Sequence, residues 1–497
     1  MERRFMTQAF KDFNLQVDPR SVVSTPEADY GLAETKNGRR LAALAGTESP
    51  ALRALEGESS EIAGRTLLLG PLSPRNAAAL RSKLPWLQPR LWGLRTSAGL
   101  GDRLGLATPG HVRAVRAAGG SIAPIFAQQS IREMQRTGRT PQQVMDDATW
   151  GVFQEGWRDG VGADADHLKT IGDVDACLAA GFTFFTIDPG GFVGSDVETA
   201  GLDELRRRAG RLPPESQPRA TGLLGKSIDV EGRTLHFDEL SLLKAVVKYG
   251  QAVAHVAALS RHLEKTAGRP YELEVSVDET EQPTSPGEHV YIASELRRLG
   301  VHWVSLAPRF IGRFEKGVDY IGDLVSFEAD LAVHAAIARQ FGPYKLSLHS
   351  GSDKFSIYPA TMRQTRGLVH LKTAGTSYLE ALRTVASLDP DLFREIYTFA
   401  RERYEIDRAS YHVSAQLARA PLPEAIVDGL GLLNQFDARE ILHVTFGSVL
   451  TAPAAAGGLR FNGRLREFLR VHAELYAVNL EAHFLRHLKP FAFAGDG

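Results

Sequence analysis

Tyr344-Lys-Leu-Ser-Leu-His349 leads into Ser350-Gly-Ser-Asp-Lys354, a short β-type run that ends in a histidine and opens into a polar turn. A helix-like stretch at 328–341 precedes it. Working outward, the same unit recurs. Further β-type runs lie at 91–98, 121–127, 163–170, 182–187, 271–277, 301–306 and 368–373, most of them closing on residues capable of chemistry. Helix-like stretches such as 290–299 separate most of them. Strands alternating with helices predict parallel βαβ units. Eight such units predict an α/β fold of the closed (β/α)8 TIM type, whose active sites sit at the carboxyl ends of the strands. An open doubly wound sheet is the other architecture this count allows.

The chain of 497 residues exceeds a minimal barrel, and three segments carry the excess. Residues 1–90 read as an N-terminal extension packed on a barrel at 91–376, and 377–497 read as a helical C-terminal region. An insertion at about 190–270 contains a Gly/Pro-rich piece and then a helix with Leu243, Val246, Val247, Val253, Val256 and Leu263 on one face. Near the C-terminus, Leu465, Phe468, Leu469, Leu475 and Val478 form an apolar stripe that predicts a packing face, on the barrel or in a homo-oligomer.

Composition excludes several classes. Apolar residues make up 43% and charged residues 24%, enough for a buried core and against wholesale disorder. With 58 Lys+Arg against 59 Asp+Glu there is no basic footprint for nucleic acid. The single cysteine, Cys177, cannot close an intramolecular disulfide or build a thiolate zinc site. Residues 1–12 contain acids and no apolar stretch of the length of a secretory signal, and no run approaches the roughly 20 apolar residues of a membrane span. A cytoplasmic protein with no membrane partner is expected.

Chemistry gathers where the runs end. Side chains alternate along a strand, so Ser347 shares a face with His349, Glu272 with Glu274, and His167 with Lys169, while Asp188 terminates a fourth run. In a barrel these ends converge. His349, His167 and Glu274 then form a nitrogen/oxygen ligand set for a divalent metal, Zn or Mn. The competing reading pairs Glu274 with Lys169 or Lys372 as a buried ion pair. Lys169 and Lys372 suit proton transfer or an oxyanion, or a Schiff base if the amine is neutral.

Gly99-Leu-Gly-Asp-Arg-Leu-Gly105 misses the dinucleotide fingerprint by one position, so no nicotinamide is expected. Asp102 and Arg103 read instead as a polar pair at the barrel mouth. Arg309 and Lys354, on two other connections, suit a carboxylate clamp. Gln128 suits sugar hydroxyls or simply closes a turn.

Several segments together resemble the hexuronate epimerases, the tagaturonate/fructuronate epimerase family with its related tagatose epimerases. They are Gly99-Leu-Gly-Asp-Arg-Leu-Gly-Leu-Ala-Thr-Pro-Gly-His111, Pro124-Ile-Phe-Ala-Gln-Gln-Ser-Ile-Arg-Glu-Met134, Gly162-Ala-Asp-Ala-Asp-His-Leu-Lys169, Glu272-Leu-Glu-Val-Ser-Val-Asp-Glu-Thr-Glu281, Leu306-Ala-Pro-Arg-Phe310 and Ser347-Leu-His-Ser-Gly-Ser-Asp-Lys-Phe355. The resemblance implies a metal-dependent epimerase acting on small keto-hexuronates, some relatives also taking fructose and tagatose. It implies metal roles for Glu274, His349 and His167.

The two keto-uronates differ at a carbon β to the ketone, where direct deprotonation gives no enolate. Retro-aldol cleavage and re-closure on the other aldehyde face would invert that carbon, the metal acting as Lewis acid. Asp188 and Lys169 are the expected acid/base pair, with Asp102 in reserve. Schiff-base aldolase chemistry, or a barrel that only binds a sugar acid, are the alternatives.

Overall fold

The structure, a computed structural model, describes residue 10 and residues 13–492 apart from 37, 48, 63, 374 and 456. Most of the stretch read for a secretory signal therefore lies outside the described residues, as does the tail from 493.

Eight parallel strands close into a barrel. They are β1 (Ser97–Gly99), β2 (Ala123–Ser130), β3 (Gly162–Leu168), β4 (Phe184–Ile187), β5 (Glu272–Ser276), β6 (Ser305–Ala307), β7 (Lys345–Leu348) and β8 (Val369–Lys372), each paired with its sequence neighbours and β8 with β1. Every predicted run overlaps one of these strands. The first starts later than expected: Gly93 turns the chain with φ +57°, and Leu91 and Leu94 stay exposed. Alternation then sorts each strand. Leu273 and Val275 of β5 and Leu346 and Leu348 of β7 face the helices, while Glu274 and Ser347 face inward with Lys345 and Lys372. This interior is polar, unlike the branched apolar filling usual in such barrels.

The helix Glu239–Thr266 buries Leu243, Val246, Val247, Val253, Val256 and Leu263, as its spacing predicts. It also connects β4 to β5, so part of the 190–270 segment is the barrel's own crossover helix, which two parallel strands require. The rest includes the helix Leu202–Gly210 and a hairpin of Ser227–Val230 with Arg233–His236.

Before the barrel, Val23–Ser24, Asp29–Thr35, Gly38–Gly46, Arg65–Gly70 and Glu58–Ile62 form a five-stranded antiparallel sheet in that spatial order. After it come helices including Thr376–Leu388, Pro390–Asp407, Asn462–Val471 and Ala473–Leu488. The apolar stripe is split between the last two: the chain changes helix at His472, so Leu465 and Leu469 are buried while Val478 is exposed. No helix among the described residues is long and apolar enough to cross a membrane.

Candidate active site

The strand ends do converge, and the carboxylates outnumber the expectation. His349, one residue past β7, has Nε2 2.6 Å from Glu274 Oε1 and Nδ1 3.2 Å from Asp278 Oδ1. The His167 ring stands 4.9 Å from that of His349, edge to face. His167 Nδ1 lies 3.2 Å from Asp188 Oδ2, and Nε2 lies 3.8 Å from Asp166 Oδ1.

His167 breaks the alternation on which its placement rested. Its φ is +54°, and the β3–β4 register shifts between Ala165 and Leu168. The irregularity brings adjacent residues, Asp166 and His167, to the same cavity, where a regular strand would send them to opposite faces. Lys169 stays half exposed, its Nζ 3.1 Å from Asp188 Oδ2.

Lys372 closes the floor. Its ammonium lies 2.6 Å from Asp166 Oδ1, 2.9 Å from Glu274 Oε1 and 3.0 Å from Asp164 Oδ2, and donates to Thr186 Oγ1 at 2.7 Å. The buried ion pair between Glu274 and Lys372 is therefore present, alongside the Glu274–His349 contact. Burial opposes the charge, but Asp164, Asp166 and Glu274 outweigh it and raise the pKa of Lys372.

The same balance governs the histidines. Burial lowers the pKa of His167, yet Asp166, Asp188 and Glu279 bring it up to about 10. Burial lowers that of His349 as well, and Asp278 and Glu274, against Lys372, bring it up to about 9. Asp166, raised by burial, is carried down to about 2 by His167, Lys372 and His349. Carboxylates thus draw positive charge onto both imidazoles, and Glu274 Oε2 remains buried without a hydrogen bond. A divalent cation fits this nitrogen/oxygen donor set. The ligating atoms of Asp166, His167 and His349 lie within 4.8 Å of one another, as do those of His167, Asp188 and Glu279.

Above these residues a narrow cavity, lined also by Arg103, Arg132, Glu133, Lys316, Ser350 and Tyr411, shares much of its wall with an outer cleft of about 570 Å³. Arg132 pairs with Glu279 at 2.5 Å, and the Lys316 ammonium donates to Ser350 Oγ at 2.6 Å. Tyr411 comes from the C-terminal region and meets Arg136.

Several predicted residues have other partners. Asp102 accepts from the backbone N–H groups of Leu104, Gly105 and Ala107 at 2.9, 2.8 and 2.6 Å, so its carboxylate braces a loop and carries no free acid/base position. Asp102→Ala is expected to lower Tm, because each buried donor left unpaired costs about 1–3 kcal/mol; thermal unfolding measures it. Arg103 lines the cavity, but Glu133 lies 2.7 Å from its Nη2, and its guanidinium stacks on Phe446. Gln128 is buried and donates to Asp166 Oδ2 at 3.2 Å, so it orients a carboxylate and has no opening toward a sugar. Gly99 lacks a side chain because a Cβ there would stand 2.8 Å from Gln128.

Arg309 lines the outer cleft, with one guanidinium nitrogen on the Thr280 carbonyl. Lys354 does not reach it. Fully buried, it donates to the carbonyls of Glu315, Val318 and Ser352 at 2.7, 2.6 and 3.0 Å, tying the segment that carries Lys316 to the turn after His349. All three of its protons are engaged, which rules out a clamp on substrate. Asp188 lies under the site and not on its wall: it holds His167, Lys169 and the Gly190 N–H, so it orients an imidazole. Glu272 accepts from the Gly93 N–H below the site.

Residues that sequence reasoning passed over are Asp164, Asp166, Asp278, Glu279, Arg132, Lys316 and Tyr411. Asp164 and Asp166 had a signal, two acids at period 2 in Gly162-Ala-Asp-Ala-Asp166. Lys316 and Tyr411 sit in connecting segments with no periodicity to read.

Comparison with known proteins bears on the family and the fold. A tagaturonate epimerase family, UxaE, matches residues 19–491. The tagaturonate/fructuronate epimerase of Thermotoga maritima is 47% identical over 415 residues, 83% of this chain and 84% of that protein. Crystal structures of fructuronate-tagaturonate epimerase UxaE from Cohnella laeviribosi, native and glycerol-complexed, superpose with TM-score 0.90 at 39% identity over 99% of each chain. With the match running through the N-terminal sheet, the barrel and the C-terminal helices alike, the chain belongs to the tagaturonate epimerase family.

Proposed function

We propose that this chain interconverts tagaturonate and fructuronate by retro-aldol cleavage and re-closure. The observation that carries the reading is the convergence of His167, His349 and Asp166 beneath a cleft rimmed by Arg132, Lys316 and Arg309. His167 and His349 would hold a divalent ion, Zn or Mn, with a carboxylate as third ligand. When bound, it supplies Lewis-acid polarisation of the sugar oxygens.

The residues supply the rest. A base takes the proton of the hydroxyl on the carbon β to the ketone. That oxygen becomes an aldehyde as the adjacent C–C bond breaks, and its electron pair stays on the ketone fragment as an enediolate. Rotation of the aldehyde and re-addition return the pair to carbon and the proton to oxygen, with inverted configuration. Glu279 takes the acid/base place of Asp188 and Lys169, because it lines the cavity and they do not, while Asp166, held by Lys372 and Gln128, is the carboxylate ligand. Lys316 and Arg132 offer positive charge to the substrate carboxylate and the enediolate, which favours uronates over neutral ketohexoses.

A Schiff base on Lys372 is disfavoured, since its amine is held as ammonium by three carboxylates and only a neutral amine attacks a carbonyl. The test is incubation with tagaturonate and identification of the product. Fructuronate is expected, with loss of activity to a chelator and recovery on metal add-back. No conversion would overturn the substrate. Arg309→Glu is expected to lower kcat/KM for the uronate by at least about tenfold more than for tagatose, the scale of one lost charged contact; equal losses would remove Arg309 from the carboxylate site.

A further inference from the structure

The turn that follows His349 meets the last helix at a second cluster of ligating side chains, outside the catalytic cleft. His483 and His487, one helical turn apart on Ala473–Leu488, both present Nε2 to one oxygen, Asp353 Oδ1, at 3.2 and 3.4 Å. All three residues are buried, and their ligating atoms lie within 4.8 Å of one another.

Hydrogen bonding identifies the lone pairs. His487 Nδ1 donates to the His483 carbonyl at 3.0 Å, so Nε2 carries its lone pair, and that nitrogen accepts the Asp353 N–H at 2.9 Å. His483 stands between two carboxylates, Nδ1 3.4 Å from Glu380 Oε1 and Nε2 3.2 Å from Asp353 Oδ1, and with its N–H toward Glu380 it offers Nε2 as a ligand. Arg439 occupies the other oxygen of Asp353 at 2.9 Å. Asp353 Oδ1 and His483 Nε2 are both left buried with no hydrogen-bond partner. Electron-rich atoms packed this closely call for a cation between them.

We propose that Asp353, His483 and His487 form a structural site for a divalent transition-metal ion of the Zn²⁺ or Co²⁺ class. Ligands about 2.0–2.1 Å from a tetrahedral ion stand about 3.3–3.4 Å apart. The 3.2 and 3.4 Å separations of Asp353 Oδ1 from the two imidazole nitrogens meet that spacing. The outer contacts suit a metal site: a carboxylate stands beside Nδ1 of His483 and a backbone carbonyl accepts from Nδ1 of His487. Phe355 and Phe484 pack against the His487 ring at 4.8 and 5.4 Å and close the site to solvent, which suits a structural ion and leaves no opening for substrate. Loading exchanges the Asp353 N–H···His487 bond for coordination. The ion would staple the C-terminal helix to the turn that begins at His349 and Ser350.

Crystals of the full chain soaked in Co²⁺ test this by position, through anomalous scattering. A peak enclosed by Asp353, His483 and His487 is expected, whatever occupies the catalytic cleft. Peaks in the cleft alone, or none, would overturn the site. In solution, the chain carrying His167→Gln and His349→Gln is expected still to take up Co²⁺ by equilibrium dialysis, with a rise in Tm. Adding His483→Gln is expected to weaken that uptake at least about 100-fold. Uptake that is absent before this change, or unaltered by it, would mean that the cluster holds a proton in place of a metal.

Discussion

His349→Ala is expected to reduce epimerisation by about 10²–10⁴-fold, the range over which a positioned catalytic group acts. The ring stands between Glu274 at 2.6 Å and Asp278 at 3.2 Å, faces the His167 ring, and lines both the inner cavity and the outer cleft. No neighbouring nitrogen can replace it. The substitution also leaves the buried Glu274 and the partly buried Asp278 facing each other, so turnover must be compared with folded fraction by circular dichroism and with bound metal per chain. The expected pattern is a folded protein with little bound metal and a collapsed kcat. His349→Gln, which keeps a donor between the carboxylates, should recover stability without recovering turnover. A folded His349→Ala chain that epimerises within about tenfold of the parent would remove His349 from the mechanism, since that loss falls below the range of a catalytic group.

Lys372→Met is expected to produce the largest loss of stability, about 3–5 kcal/mol, because it removes the ammonium that three buried carboxylates, Asp164, Asp166 and Glu274, share. Its pH dependence separates this cause from simple loss of packing. In the parent chain the folded pKa of Asp166 is depressed to about 2, and that of Glu274 lies well below its usual value. Their stabilisation is therefore present above the unfolded carboxylate pKa, near 4, and is lost as pH falls toward 2. Without Lys372, His167 and His349 remain as the cations that oppose burial, and the folded pKa values of Asp166 and Glu274 rise toward the unfolded ones. The gap between folded and unfolded pKa narrows, so the variant has less stability to lose as pH falls below about 4. Urea unfolding at pH 5 and pH 3 should show a smaller loss on acidification in the variant than in the parent. An equal loss in both chains would show that the ammonium is not what balances these acids.

The legibility of this molecule in its sequence follows from the range of the interactions involved. Period-2 alternation located the eight strands and the inward positions Glu274 and Lys372, because a strand's facing depends only on its neighbours along the chain. The same rule misplaced chemistry wherever the backbone departs from regularity or a partner arrives from far away. His-Leu-Lys-Thr occurs at 167–170 and 370–373 and reads identically in both places. At 370 it is regular strand, with His370 bonded to Ser97 and Lys372 on the barrel floor. At 167 the backbone is left-handed, and the histidine turns into the cavity beside Asp166.

From the chain alone came the eight strand segments that suit a closed barrel and a polar mouth rich in histidine and carboxylate side chains and without thiols. Folding sorted the groups that line the cavity from those that brace the wall. Asp102, Asp188 and Lys354 look free in the chain, yet each is consumed by partners that folding brings to it. Arg132, Lys316 and Tyr411 reach the cleft from three separate connections. The physical reason is that a strand's facing is a local property, while the partner of a charged side chain is chosen by long-range packing, where burial makes every charge find its counterpart.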